Sequence, residues 1–236
     1  MNGVCLAISG TSASLIVRGN FDEGKHIDLD KTTDAKSCAD LIRQGFGHDF
    51  WKKRLVVAAN FEKTIIRITS RTKGTFLNRG LSSKEAWELI KTVFPFGTSI
   101  NEKSHIFDIA RFGPKRYFCC GLPVELAEFL TALGTELTGS VHRVEAIETL
   151  EHMIFKHELG SQKKRANKLI VFPQESGYRL LFARDGLPED VFFVTNHPKR
   201  RVDELRSVIE TIGTWEYDLK ILPPGNEALW VLEYLK

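Results

Sequence analysis

The sequence predicts an α/β protein in which one small β-β-β-α unit is used twice. Three observations carry that expectation. Residues 3–46 run strand, turn, strand, strand, helix, and residues 168–212 run through the same order. Each opening strand is followed at once by a short turn of small or polar residues, Ser9-Gly10-Thr11-Ser12 in one copy and Pro173–Gly177 in the other. Between the copies lies a stretch of different pattern, strand, helix, strand, which reads as an insertion.

In chain order, Val4–Ile8, Leu15-Ile16-Val17 and His26–Leu29 are the strands of the first copy, and its helix runs from about Thr33 to Phe46. Leu55–Ala59 is a fourth strand. Lys63–Thr69 alternates Ile66 and Ile68 with Arg67 and Thr69, the period of a half-exposed strand. Ser82-Ser83-Lys84-Glu85 has the form of a helix cap with a glutamate at the third helical position, and Pro95 with Gly97 ends that helix. His105–Phe112 and Lys115–Gly121 are strands around Gly113-Pro114. Pro123 opens a helix whose inner face is Val124, Ala127, Leu130 and Thr131 and whose stop is Leu133-Gly134. A short strand near Val141–Val144 feeds a helix over Glu145–Glu158, and the polar, basic run Gly160–Arg165 is a linker. The second copy takes Leu169–Phe172, Arg179–Ala183, Val191–Val194 and the helix Lys199–Ile212. Tyr217–Leu222 and a helix Asn226–Leu235, capped by Asn226, follow.

A strand-turn-strand-strand-helix unit used twice points to the duplicated actin-like, or ribonuclease H-like, architecture. The expected division is 1–60 with 114–160 as a first subdomain, 61–113 as a small α+β insertion, and 161–236 as a shortened second subdomain. Composition is ordinary for a globular chain of 236 residues, with 42% hydrophobic and 27% charged residues. A net charge of +3 is too small to imply nucleic acid by itself. Met1-Asn2-Gly3 leads into a strand without a basic region or cleavage site, and no long apolar run is present, so neither a secretory signal nor a bilayer span is expected. Cys119 and Cys120 are adjacent in a strand and point to opposite faces, so they cannot share one metal. With Cys5 and Cys38 they read as reduced, mostly buried thiols of a cytoplasmic protein.

The ordered series Leu55–Phe155 resembles the PilM and GspL group of actin-fold proteins, the cytoplasmic platform components of type IV pili and type II secretion systems. It runs through Ile65-Ile66-Arg67-Ile68, the inserted helix Lys84–Phe94, the aspartate-bearing Phe107-Asp108-Ile109, Tyr117 to Leu133-Gly134, and Val144–Phe155. Leu180–Pro188 resembles the second-half hairpin of that group. The resemblance implies a cytoplasmic scaffold, peripheral at the inner membrane of a bacterium. In relatives, a groove between the core and the inserted subdomain accepts a short cytoplasmic segment of an inner-membrane assembly protein, and other faces meet the motor ATPase. The alternating strands Lys63–Thr69 and His105–Phe112 suit addition of an extended peptide at an edge.

An actin-type ATPase needs an aspartate at the end of the first strand to hold magnesium, followed by a small turn that lets backbone N–H groups approach phosphate. Here Ala7 stands where the carboxylate is expected, and Ser9, Gly10, Thr11 and Ser12 keep only the small turn, which also serves as a plain hairpin. In the second copy the place is taken by Phe172-Pro173-Gln174-Glu175, which lacks a ligand at Phe172 and a donor N–H at Pro173. Pro224-Gly225-Asn226 is the nearest thing to an adenosine-binding glycine pair. The expectation is therefore a pseudo-ATPase with no catalytic residues, no metal and no cofactor. The alternative is an active actin-fold ATPase or small-molecule kinase that binds ATP.

Glu145, Glu148 and His152, at i, i+3 and i+7, would share one helix face, which reads as a solvated face sooner than a metal site. His152 and His157 are one residue too far apart for the zinc-protease spacing, and no Gly-x-Ser-x-Gly elbow occurs. The clusters Lys163-Lys164-Arg165 and Lys199-Arg200-Arg201 have no interleaved aromatics. They read as linker and surface charge with no nucleic-acid partner, and suit a modest attraction to anionic lipid heads.

Overall fold

A computed structural model describes residues 3–9, 12–17, 26–29, 34–70, 81–97, 99–112, 116–153, 167–174, 176–213 and 217–221. The chain divides into two compact units, Met1–Phe61 with Glu125–His157 and Leu222–Lys236, and Glu62–Val124 with Glu158–Ile221.

The first unit is built on β1 (Gly3–Ser9), β2 (Ser12–Val17), β3 (His26–Asp28), α1 (Ala35–Phe46) and β4 (Arg54–Asn60). It continues with α3 (Val124–Thr138) and β8 (Val144–Thr149). Its sheet has the order β3-β2-β1-β4-β8. β1 is antiparallel to β2 and parallel to β4, and β4 is parallel to β8. A strand with parallel neighbours is covered on both faces, so it reads as a continuous apolar run; every residue from Val4 to Ile8 is buried. The helix α1 starts at Asp34, whose carboxylate accepts from the Ser37 N–H at 2.9 Å and the Ser37 hydroxyl at 2.7 Å. Those two bonds hold the Asp34 carboxyl below the usual carboxylate range. The helix buries Cys38, Ala39, Ile42 and Phe46 and keeps Lys36, Ser37, Asp40 and Gln44 in water.

Two expectations fail in this unit. Gly134 does not stop its helix, which continues to Thr138 and ends at Gly139 with φ +70°. A Cβ on Gly134 would lie 2.8 Å from Val144 Cγ2, so the glycine is there to let the helix approach β8. The segment Glu145–Thr149 is a strand, not the first turns of a helix. A 3₁₀ turn over Val141–Arg143 precedes β8, and helical backbone begins only at Leu150. The open place beside β4 decides the matter, because β8 pairs there from Leu55–Val144 to Ala59–Thr149.

The second unit contains two sheets. One has the order β5-β7-β6, made of Ile65–Ser70, Arg116–Pro123 and His105–Phe112, all antiparallel. The strand β7, expected within the first subdomain, is instead the middle strand of the inserted sheet, since only it offers hydrogen bonds to both β5 and β6. Its helix α2 (Ser83–Val93) carries the expected cap: Ser82 Oγ accepts from the Glu85 N–H at 3.3 Å, and Glu85 accepts from the Ser82 N–H at 2.9 Å. Trp87, Phe94, Phe96 and Phe107 pack between helix and sheet with ring centroids 5.0–6.1 Å apart.

The other sheet has the order β11-β10-β9-β12, made of Leu187–Thr195, Gly177–Arg184, Lys168–Gln174 and Asp218–Ile221. It repeats the first sheet: β9 is antiparallel to β10, which is antiparallel to β11, while β9 is parallel to β12. Asp185 at φ 52° and Gly186 at φ 73° make the tight turn of the β10–β11 hairpin, the conformation an Asp-Gly pair favours. The helix α4 (Pro198–Ile212) follows β11 as α1 follows β3. Its proline stands in the first turn, where its missing N–H costs nothing. The linker 160–165 and the helix expected at Asn226–Leu235 lie outside the described residues.

Candidate functional site

Strand register makes the two copies comparable residue by residue. Ser9 pairs with Ser12 across the β1–β2 hairpin, and Gln174 pairs with Gly177 across the β9–β10 hairpin. Both connections are therefore two residues long, and Ser9, Ala7 and Ser14 match Gln174, Phe172 and Arg179. Gly10, Thr11 and Glu175 lie outside the described residues. A Cβ on Gly177 would strike the Val194 carbonyl oxygen, so this hairpin needs glycine where the first has Ser12.

The matched positions Ala7 and Phe172 are 1% and 0% exposed. Each sits two residues before its hairpin on the central strand of its sheet, the place from which a carboxylate would reach the turn. Neither brings an oxygen ligand, and the Phe172 ring fills its position with apolar bulk. The residues present do not fit a magnesium-bound nucleotide at these two positions.

Sequence reading placed Glu148 on a helix and passed over Glu151; the two lie at and just past the carboxyl end of β8. In register, Ala7 faces Ala58 and Ala58 faces Glu148, which places the Glu148 Cα two strands, about 10 Å, from that of Ala7. The expected common helix face of Glu145, Glu148 and His152 does not exist, because the first two lie on β8. The strand turns Glu145 to solvent, 3.9 Å from Arg54. Glu148 instead meets His152 across the strand-to-helix junction, Oε2 to Nδ1 3.5 Å. The His152 N–H donates to Thr149 Oγ1 at 3.2 Å, which caps that junction. Glu151 beside it is fully buried. Burial pushes the Cys5 thiol up to about 12, and the Glu148 charge adds to the rise. The signal available in the sequence was the run Val144-Glu145-Ala146-Ile147-Glu148-Thr149, which is too short and too mixed in pattern to separate a strand from a helix.

In the second unit, Arg179 is 4% exposed and donates to the carbonyls of Glu62 at 3.2 Å and Thr64 at 2.9 Å. Ser176, next to the hairpin, donates to Glu62. Arg116 pairs with Glu189 at 3.1 Å. Inserted sheet and second copy are thus tied through the hairpin that a nucleotide would need. Burial raises the Asp190 carboxyl, while its bond from the Val191 N–H and the charge of Arg67 act the other way.

No family model matches the chain, and no curated protein matches it by sequence. Solved structures do. A protein of Bacteroides thetaiotaomicron with an actin-like ATPase fold and unknown function superposes with TM-score 0.58 at 12% identity, covering 99% of this chain and 88% of that one. The chain has an actin-like fold. A chain of a PilM–PilN type IV pilus biogenesis complex gives 0.58 at 13% identity, covering 97% and 83%. The cytoplasmic domain of EpsL, an inner membrane component of the type II secretion system of Vibrio cholerae, gives 0.57 at 9% identity, covering 99% and 94%. No helix among the described residues of this actin-like chain is long and apolar enough to cross a membrane.

Proposed function

We propose that this actin-like chain is a non-catalytic scaffold at the cytoplasmic face of an inner membrane, in a machine of the type IV pilus or type II secretion kind. The observation that carries the reading is the pairing of near full-length similarity to two such assembly proteins with Ala7 and Phe172 at the matched register of the two hairpins. Its work is binding: a short cytoplasmic segment of an inner-membrane assembly protein on one side, and the motor ATPase of the machine on another. The outer edge of β6 suits the segment. Among the described residues β6 pairs only with β7, and Ile106 is 53% exposed on it.

The test has two arms. Calorimetry with synthetic cytoplasmic segments of the membrane proteins encoded beside this chain should give saturable binding that Ile106→Glu weakens. Melting with magnesium and millimolar ATP should leave Tm unchanged, whereas a bound nucleotide at a hundredfold excess over Kd would stabilise by about 2.7 kcal/mol. A second reading, an ATPase or kinase of the same fold, is favoured by one observation, the carboxylates of Glu148 and Glu151 at the carboxyl end of β8. Magnesium-dependent stabilisation by ATP that disappears in Glu148→Gln would establish it and remove the scaffold reading.

A further inference from the structure

The two helices that follow the third strand of each copy differ in the residues they leave exposed. The outer face of α1 is polar throughout, at Lys36, Ser37, Asp40 and Gln44. Its counterpart α4 buries Val208 and Ile212 against the sheet and leaves Val202, Leu205 and Ile209 at 59%, 40% and 66% exposure. At 3.6 residues per turn these three fall within an arc of about 60°, one exposed ridge along the flank of the helix, beside the buried Val208 and Ile212. The fold does not require the ridge, since α1 does without it.

Charge is sorted around the ridge. Lys199, Arg201 and Arg206, all exposed, project within about 90° of its centre, on both sides of it. Asp203, Glu204 and Glu210 all lie more than about 100° away. Glu204 is turned inward, where its carboxylate accepts from the Thr195 N–H at 2.6 Å. Among the described residues Arg206 pairs with Asp203 at 3.8 Å, an exposed pair, and Arg201 donates to the Asn196 carbonyl at 3.1 Å. The first turn of α4 holds three cations and no acid, against the preference of a helix N-terminus for negative charge. An anion on this face would relieve that.

We infer that this exposed flank of α4 docks on an anionic lipid surface, with Val202, Leu205 and Ile209 among the acyl chains and Lys199, Arg201 and Arg206 at the headgroup phosphates. An apolar ridge bordered by cations, with the acids turned away, is the charge pattern of an interfacial helix. The geometry favours a bilayer over a folded partner. The ridge is convex and about 10 Å long, and offers little of the ~800 Å² per side that a standard protein interface uses. A bilayer accepts any convex ridge. The inference rests on the reading above only in supposing a membrane nearby, and it names the surface that meets it.

Flotation of the full chain with vesicles tests it. The chain should rise with phosphatidylcholine vesicles containing phosphatidylglycerol, stay behind with phosphatidylcholine alone, and be released by salt. Val202→Ser/Leu205→Ser/Ile209→Ser and Lys199→Glu/Arg201→Glu/Arg206→Glu should each lower binding by about tenfold or more, at unchanged circular dichroism. Arg200→Glu, on the far side of the helix, should act weakly. No flotation with the anionic vesicles, or flotation indifferent to both triple variants, overturns the inference. So does a dimer that the serine variant dissociates while vesicle binding persists, since the ridge would then belong to a second copy. An acidic protein partner that binds the ridge in place of vesicles also overturns it. Binding of the membrane-protein segment is measured separately, so failure here and failure of the scaffold reading remain distinguishable.

Discussion

The first and second copies share strand order, hairpin length and helix position, yet they spend their residues differently. In the first copy the helix buries four apolar residues and turns a polar face outward, and the turn is made of small residues. In the second copy the helix buries two, leaves three apolar residues exposed, and the hairpin is locked to the inserted sheet through Arg179 and Ser176. A topology that can cradle the same ligand twice is here a general frame. What each copy touches is decided by the residues on its outer faces and hairpins.

Substitution at the paired helices gives the largest expected contrast. Ile42→Ala in α1 removes a fully buried side chain and should cost about 2–5 kcal/mol in denaturant unfolding. Ile209→Ala in α4 should stay within about 0.5 kcal/mol. Equal losses at the two positions would mean that α4 is covered as α1 is. Next in size is Arg179→Ala, which strips two backbone carbonyls of a buried partner and should cost about 2–3 kcal/mol. A loss below about 0.5 kcal/mol would show that the second hairpin is not anchored through this side chain.

Ser82→Ala removes half of the reciprocal cap of α2 and should lower stability by about 1 kcal/mol, measurable as a fall in Tm, with Ser82→Asp restoring most of it. The smallest effect concerns the thiols. Cys5, Cys38 and Cys119 are buried, and burial pushes Cys5 and Cys119 up to about 12, so they remain protonated at neutral pH. Native-state alkylation followed by mass spectrometry should mark Cys120 first and leave the others until unfolding. Early labelling of Cys5 would show that the first sheet opens readily.

Much of this architecture was legible because it is written locally. The Ser82–Glu85 cap, the Asp185-Gly186 turn and the amphipathic runs of α1 and α4 all act within a few residues, where spacing and side-chain type are sufficient. That Ala7 and Phe172, and no carboxylate, stand two residues before the first turn of each copy was legible for the same reason. The acidic group at Glu148 was misplaced because the six residues 144–149 hold no strict period and suit either a strand or a helix face, and only the vacancy beside β4 chose between them. Glu151 escaped notice altogether, since its burial follows from where the next helix begins.

By itself the sequence determined the order of elements, their caps and turns, the duplication, and the absence of a carboxylate from the two matched strand positions. The tertiary structure alone decided that Arg116–Pro123 is the centre of the inserted sheet, that Gly134 makes room for β8 and does not end a helix, and which face of α4 stays in water. The physical reason is one of range. Caps, turns and periodicity are settled by neighbours in the chain, whereas strand pairing, close approach and exposure depend on residues distant in sequence that meet only in the folded molecule.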